Sequence, residues 1–123
     1  MYDVAHFREE RVGVLHALIR AHPLATLVVN SIDGLNANHI PLLIDPEPAP
    51  YGTLLGHVAR ANPLWKAFDK ASDALAVFQG PQGYITPSWY PSKLEHGKVV
   101  PTWNYAVVHA HGPLVVYDDV AWL

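Results

Sequence analysis

Short apolar, β-rich runs separated by turn-forming residues limit the fold of this chain more than any other feature of its sequence. Ser31-Ile32-Asp33-Gly34 supplies turn chemistry between the first two runs, so these runs form a hairpin. Pro41 lacks a backbone N–H and favours an edge, a bulge or a ligand-facing position in the second run. Gly80-Pro81-Gln82-Gly83 predicts a turn after the fourth run. The runs predict strands at 24–30, 36–45, 53–57, 74–79 and 102–116, with a short extended piece at 84–86 and a bend at Gly112-Pro113.

Helices are predicted only at the periphery of these strands. Residues 8–21 carry an apolar stripe at helical spacing, and His22-Pro23 ends the helix because proline disfavours helical geometry in the residue before it. Asn62-Pro63 opens a short helix that extends to about Lys70. Asp118-Asp119 predicts the start of another helix. The pattern therefore predicts a mainly β fold, a small and mostly antiparallel barrel with peripheral helices, in one domain over residues 1–123.

Composition excludes several classes of protein. The chain has 123 residues, of which 50% are hydrophobic and 15% charged, so a disordered chain is excluded. It contains no cysteine, which excludes disulfides and thiolate metal sites. The formal net charge is −3, and the four lysines and four arginines are scattered, so binding of nucleic acid by a basic face is disfavoured. Charged residues occupy the N-terminus where a signal peptide needs an apolar core, so we expect a cytoplasmic protein without a membrane span.

Residues 56–63 combine a strand end, a cation and a helix start. Free N–H groups at a helix N-terminus favour anions, and the Arg60 guanidinium and the His57 imidazole add donors. The segment is thus a candidate phosphate site. An ordinary strand-to-helix turn with a surface arginine would have the same pattern.

Two aromatic segments are candidates for contact with a flat ligand. In the segment 84–90, Ser88 and the rings of Trp89 and Tyr90 lie between Pro87 and Pro91. Such a stiff segment can hold the rings against a flat ligand, or it can close one end of the barrel with aromatic side chains. In 100–105, Asn104 offers a donor and an acceptor for an imide-like edge. Strand alternation places Thr102 and Asn104 on one face and Trp103 on the other.

Other kinds of site have weak support. His109 and His111 share a strand face, but no third ligand is evident, so structural histidines are preferred to a metal pair. The sequence has no Gly-x-Ser-x-Gly elbow, no Gly-x-Gly-x-x-Gly and no Walker loop. No catalytic residue is predicted.

Four segments of the chain, taken in order, carry a resemblance to a known family. They are Asn38-His39-Ile40-Pro41, residues 56–65, Ile85-Thr86-Pro87-Ser88-Trp89-Tyr90 and Val100-Pro101-Thr102-Trp103-Asn104-Tyr105. They resemble the PaiB family, whose members are identified as FMN-binding negative transcriptional regulators. Residues 108–112 resemble the next segment of that family, and the resemblance covers nearly the whole chain. Family members usually continue for a further helical stretch beyond the position of Leu123, so we expect that stretch to be missing here.

The resemblance implies an antiparallel split β-barrel that binds FMN noncovalently at a homodimer interface, as in the related pyridoxamine-phosphate oxidases and flavin reductases. It implies that Arg60, His57 and the turn to Asn62 hold the phosphate, with Lys93 as a second cation. The strand with Asn38 and His39 would lie along the flavin. The ribityl chain or the flavin would be contacted, from the same or the other subunit, by Thr86, Ser88, Trp89, Thr102, Trp103 and Asn104.

Three function classes remain open at this point. The family resemblance favours an FMN-sensing transcriptional regulator, although the sequence has neither a helix-turn-helix pattern nor a basic face, so DNA is a partner by resemblance only. A flavin-dependent oxidoreductase, similar to flavin reductase or pyridoxamine-phosphate oxidase, is the first alternative. A small-molecule-binding module without catalysis is the second.

Overall fold

Six strands and three short helical segments form the part of the chain that the computed structural model describes, residues 1–85, 102–119 and 121. A 3₁₀ turn at Ala5–Phe7 precedes α1 at Val12–Ala21, and α2 spans Leu64–Ala67. The strands are β1 Leu24–Ser31, β2 Gly34–Pro41, β3 Leu43–Asp45, β4 Thr53–Leu55, β5 Ala74–Ile85 and β6 Thr102–Gly112.

All strand pairs in this described part are antiparallel. A four-stranded sheet has the order β2-β1-β5-β6, and β3 pairs with β4 in a second, two-stranded sheet. The predicted mainly β, antiparallel fold is confirmed. The sheets do not close into a continuous barrel over the described residues, an arrangement compatible with a split barrel.

The β1–β2 hairpin forms as the turn residues predict. Ser31 pairs with Gly34, whose φ of +105° lies in the region that favours glycine. Pro41 pairs with Leu24 at the end of β2, which is an edge strand. After Pro41 the chain bends at Leu42, whose N–H donates to the Pro23 carbonyl at 2.9 Å, and continues into β3 in the second sheet.

The core lies between one face of the four-stranded sheet, the helix α1 and the β3–β4 pair. Alternate residues of β1 and β5 are buried, and the side chains of Ala25 and Phe78 have no exposed surface. From α1, Ile19 is buried and Leu15 and Leu18 pack against the core, which confirms the predicted apolar stripe. The same helix buries His16, whose Nε2 lies 2.7 Å from the Tyr51 carbonyl oxygen and is thereby satisfied.

Both predicted helices are shorter than the sequence pattern indicates. α1 begins at Val12 rather than at residue 8, because the Glu9 carboxylate accepts hydrogen bonds from the N–H groups of Glu10 and Arg11 and stabilises extended backbone there. α2 ends at Ala67 rather than Lys70, because the next residues pair with the β1–β2 hairpin. The Asp69 N–H donates to the Asn30 carbonyl at 2.7 Å.

The turn predicted at Gly80-Pro81-Gln82-Gly83 is wrong. β5 continues through these residues to Ile85, and the pairing with β6 shifts register between Gln79 and Gln82. Proline cannot donate to the ladder, and a bulge accommodates it without ending the strand.

Residues 113–119 have no regular secondary structure, and most of the helix predicted to start at Asp118-Asp119 falls outside the described residues, so it stays a prediction.

Within the described ranges, no helix is long and apolar enough to span a membrane.

Candidate functional site

A cavity of about 1040 Å³ opens between the core face of the four-stranded sheet and the β3–β4 pair. Its inner wall is apolar and includes Leu27, Ile40 and Val108. Its polar wall is formed by His57 and Arg60, which precede α2, and by Asp118 from residues 113–119. A mostly apolar cavity with a few convergent polar groups is the usual form of a small-molecule site.

The close approach of Gly56 to the β2–β3 bend positions the polar wall. A Cβ atom at Gly56 would lie 3.0 Å from the Pro41 carbonyl oxygen and 2.5 Å from a Leu42 methyl group, so a side chain there would force the chain apart. The glycine lets residues 56–62 pass directly against the bend. His57 and Arg60 therefore reach the cavity wall although β4 is only three residues long.

Asn62 connects α2 to β2. Its Oδ1 accepts the Leu64 N–H at 2.9 Å, and its Nδ2 donates to Asn38 Oδ1 at 2.9 Å. Asn38 Nδ2 in turn donates to Asn36 Oδ1 at 2.6 Å. The predicted site residues Asn38 and Asn62 are thus brought together, and in this structure their amides are used to fix the start of α2 beside β2.

Arg60 lies at a cationic corner, the group formed by Arg60, Trp65 and Lys66. The Arg60 Cζ and the Lys66 Nζ lie 5.9 Å and 4.8 Å from the centre of the Trp65 ring, and the indole N–H donates to the Arg60 carbonyl at 2.9 Å. The Arg60 side chain is 74% exposed, so most of its surface is open to a ligand.

Asp118 occupies this corner. Its Oδ1 accepts a hydrogen bond from Arg60 Nη2 at 2.9 Å. That hydrogen bond, with the charge of Arg60, lowers the pKa of the Asp118 carboxyl below its usual value and raises the pKa of Arg60. The charge of Lys66 lowers the Asp118 pKa further. The carboxylate is therefore ionised at neutral pH.

Trp65, Lys66 and Asp118 are site residues that the sequence reasoning did not identify. Trp65 and Lys66 come just after the predicted phosphate segment, and an indole next to a lysine and five residues after an arginine is a signal that could have found them. Asp118 follows Arg60 by 58 residues in the sequence, and no local pattern indicates their pairing.

A second group of predicted residues lies at the other end of β6. Trp103 pairs with Tyr84 at the Ile85–Thr102 end of the β5–β6 ribbon, with ring centres 5.7 Å apart, and its indole N–H donates to Gln82 Oε1 at 3.0 Å. Thr102 and Asn104 flank it. Along β6 the cavity lining begins at Val108, roughly 17 Å from Trp103 at 3.3 Å per residue. Within one chain, Thr102, Trp103 and Asn104 are not among the residues that line the cavity.

The remaining predicted residues divide between the outer face of the sheet and the undescribed segment. His39 lies on the face opposite to that of Asn38, with its Nδ1 3.3 Å from Thr26 Oγ1. Thr86, Ser88, Trp89 and Lys93 lie outside the described residues, so their roles stay predictions.

His109 and His111 share one face of β6, as alternation predicts, with ring centres 6.4 Å apart. Burial lowers the pKa of His109 below its usual value, and the positive charges of the N-terminus and His111 lower it further. Among the described residues, no group of three or more His, Asp or Glu side chains is arranged to hold a metal ion.

Comparison with known proteins connects this geometry to a family. The whole chain, residues 1–123, matches the family described as "Putative FMN-binding domain". An uncharacterized protein of Saccharomyces cerevisiae is 37% identical over 73% of this chain and 54% of its own length. The protease synthase and sporulation protein PAI 2 of Bacillus subtilis is 33% identical over 91% of this chain and 51% of its own. An uncharacterized protein of Aspergillus fumigatus is 34% identical over 97% and 58%. The chain thus spans about half the length of the curated relatives it matches.

Proposed function

The chain belongs to the family described as "Putative FMN-binding domain", and from this membership we propose that it binds FMN noncovalently as a homodimer and acts as an FMN-dependent regulator of the PaiB type. The observation that carries the proposal is the cationic corner, where Arg60 and Trp65 line the cavity and Lys66 lies against the same indole ring. It combines charge for a phosphate with apolar surface for a ring.

The residues at the corner fit a phosphate monoester. The guanidinium of Arg60 offers a planar pair of donors, the ammonium of Lys66 a second positive charge, and the imidazole of His57 a further donor. A phosphate near neutral pH carries between one and two negative charges and several acceptor oxygens. In the proposed site, Arg60 and Lys66 neutralise that charge, and Lys66 supplies the second cation that the sequence analysis assigned to Lys93.

In the proposed dimer, the ring end of the site comes from a second copy of the chain. Thr102, Trp103 and Asn104 do not line the cavity that Arg60 lines within one chain, while Tyr84, Trp103 and Tyr105 are 47%, 55% and 61% exposed. Exposed aromatic clusters of this kind mark interaction surfaces. We propose that this end of β6 meets the cationic corner of a partner subunit, so that each site contains residues of both chains.

FMN would supply reversible uptake of one or two electrons at such a site. The residues of the chain would bind and orient it: the cationic corner fixes the phosphate, and Trp103 covers apolar ring surface. A regulatory role follows the family resemblance and is consistent with the Bacillus subtilis relative named protease synthase and sporulation protein PAI 2. With a net charge of −3, the chain itself is a poor binder of the DNA backbone.

The first test is the visible absorption spectrum of the purified protein before and after addition of FMN and gel filtration. Flavin absorbance that travels with the protein at one FMN per chain supports the proposal, and flavin that separates completely contradicts it. Steady oxidation of NAD(P)H by the loaded protein would identify an oxidoreductase instead of a regulator. Salt-sensitive and sequence-selective DNA binding that changes with FMN would support regulation by direct contact.

The second test is the substitution Arg60→Ala, measured by flavin fluorescence titration with FMN and with riboflavin, which lacks the phosphate. Loss of a charge-assisted contact should lower the affinity for FMN about tenfold or more and leave the affinity for riboflavin nearly unchanged. Arg20→Ala is the matched control, since Arg20 is an exposed arginine near the end of α1, away from the corner. Equal weakening of FMN and riboflavin by Arg60→Ala would remove Arg60 from the phosphate site.

A further inference from the structure

Residues 113–119, the C-terminal strap, follow β6 and lie across the polar side of the cavity. Leu114 packs against the core, and Val115 and Val116 line the 1040 Å³ cavity on one side and a second cavity of about 520 Å³ on the other. The strap therefore lies between two open spaces, held at one end by Leu114 and at the other by Asp118.

Asp118 attaches the strap to the cationic corner through its charge. Its carboxylate accepts from the Arg60 guanidinium at 2.9 Å and lies in the field of Lys66, whose ammonium is 4.8 Å from the centre of the Trp65 ring. The neighbouring carboxylate of Asp119 accepts instead from the Ala121 N–H at 2.9 Å. Of these two adjacent acids, Asp118 is the one that the fold directs at Arg60.

We propose that Asp118 is an internal anion at the phosphate subsite, which competes with the phosphate of the ligand and thereby sets how strongly the chain discriminates FMN from riboflavin. The inference rests on the proposed function, because it concerns the same cationic corner. Carboxylate and phosphate oxygens accept hydrogen bonds from the same guanidinium N–H groups. The Asp118 carboxylate and a bound phosphate therefore cannot both accept all of the Arg60 hydrogen bonds at the same time. A phosphate carries more charge and more acceptors than a carboxylate, so it can displace Asp118.

Displacement has a cost that only phosphorylated ligands incur. The pair is exposed, with half of the Asp118 side chain accessible, and exposed ion pairs are weak. Its loss therefore lowers the apparent affinity for FMN by a small factor. Riboflavin does not need the Arg60 donors and leaves the pair intact.

The experiment compares wild type, Asp118→Asn and Asp119→Asn by fluorescence titration with FMN and riboflavin at low salt and near neutral pH. Both substitutions remove one negative charge, so long-range electrostatics are matched. Asp118→Asn should raise the affinity for FMN about two- to fivefold and leave the affinity for riboflavin unchanged, whereas Asp119→Asn should change neither affinity. Equal effects of the two substitutions on FMN, or no effect of Asp118→Asn, would overturn the internal-anion role.

A measurement without flavin separates this proposal from the proposed function. Inorganic phosphate should raise the Tm of Asp118→Asn more than that of wild type, relative to chloride at equal ionic strength, because the corner is then free for the anion. The added substitution Arg60→Ala should abolish that difference. If FMN binds no variant but the phosphate difference is present, the proposed function fails and the internal anion stands. If FMN binds all variants alike and phosphate distinguishes none, the internal anion fails alone.

Discussion

His109 projects from β6 onto the sheet face opposite the core, in register with Val77 of β5 and, through it, with Thr26 of β1. Burial lowers its pKa below the usual value near 6.5, so the folded chain holds this imidazole neutral at neutral pH. In the unfolded chain the imidazole binds its proton at the ordinary pKa. As the pH falls below about 6.5, the unfolded state takes up the proton first, so stability declines until the folded pKa is passed.

The substitution His109→Gln should therefore flatten the loss of stability on acidification. We expect the urea midpoint of wild type to fall as the pH drops below about 6.5, and the variant to lose the part of this slope that His109 causes. His111→Gln is the control. The His111→Gln variant should retain the decline in stability on acidification. Its His109 pKa, measured by NMR, should be slightly higher than in wild type, because the substitution removes a neighbouring positive charge. Identical pH slopes for wild type and His109→Gln would contradict the assignment.

At the level of single residues, the sequence predicts positions that depend on local chain geometry. Arg60 and His57 could be placed at a site because a strand end and a helix start adjoin them in sequence. The resemblance to the PaiB family, drawn from motifs of this kind, is confirmed by the family match and by the Bacillus relative. The pairing of Arg60 with Asp118 depends on how the end of β6 returns across the cavity, which no local pattern encodes.

Among the elements, β5 shows most clearly where local chemistry is insufficient. Gly80-Pro81-Gln82-Gly83 has the residues of a turn, yet Gln82 to Ile85 continue to pair with β6. The long partner strand decides the outcome, because a bulge costs less than loss of the ladder beyond it. The hairpin turn at Ser31 was predictable because its two strands adjoin it directly.

Gly80 and Gly83 offer a matched test of how closely α1 packs against β5 and β6. A Cβ atom at Gly80 would lie 3.0 Å from the Ala106 carbonyl oxygen and 3.1 Å from a Leu18 methyl group, whereas one at Gly83 would meet no atom within 4 Å. Gly80→Ala should therefore lower the free energy of unfolding by about 1–3 kcal/mol, by overpacking α1 against the sheet. Gly83→Ala should change it by less than about 0.5 kcal/mol. Urea denaturation of both variants checks this, and equal stabilities would contradict the close packing of Gly80 against Ala106 and Leu18.

At the scale of the whole molecule, one end of the β5–β6 ribbon carries large aromatic side chains with much accessible surface. Tyr84, Trp103 and Tyr105 are 47%, 55% and 61% exposed and lie near one another on the paired strands. Exposed aromatic clusters of this kind are typical of interaction surfaces. The cluster therefore favours a second copy of the chain that covers it, as the proposed homodimer requires.

Complementation between two defective chains tests the shared site. Arg60→Ala impairs the end of the site that holds the FMN phosphate, and Trp103→Leu impairs the end that covers the ring. Each homodimer of a single variant should therefore bind FMN weakly. If each site combines Arg60 of one chain with Trp103 of the other, the mixed dimer has one site with both defects and one intact site. Random mixing should then restore roughly one site in four to wild-type affinity, read as the amplitude of the tight phase in a flavin fluorescence titration. A mixture of Arg60→Ala and Arg60→Ala/Trp103→Leu chains is the control, because no pairing of these restores an intact site.

The alternative is a site built within one chain, and it predicts a different result. Both variants would then carry their defect in every site, and mixing would restore no tight binding. Light scattering of the mixture distinguishes this from failure to assemble, since a dimer has twice the 13.6 kDa mass of the chain. The separation of Trp103 from Val108, the first residue of β6 that lines the cavity, is roughly 17 Å at 3.3 Å per residue and favours the shared site. A dimeric mixture without a tight phase would therefore contradict the shared site and leave only contacts near the cationic corner.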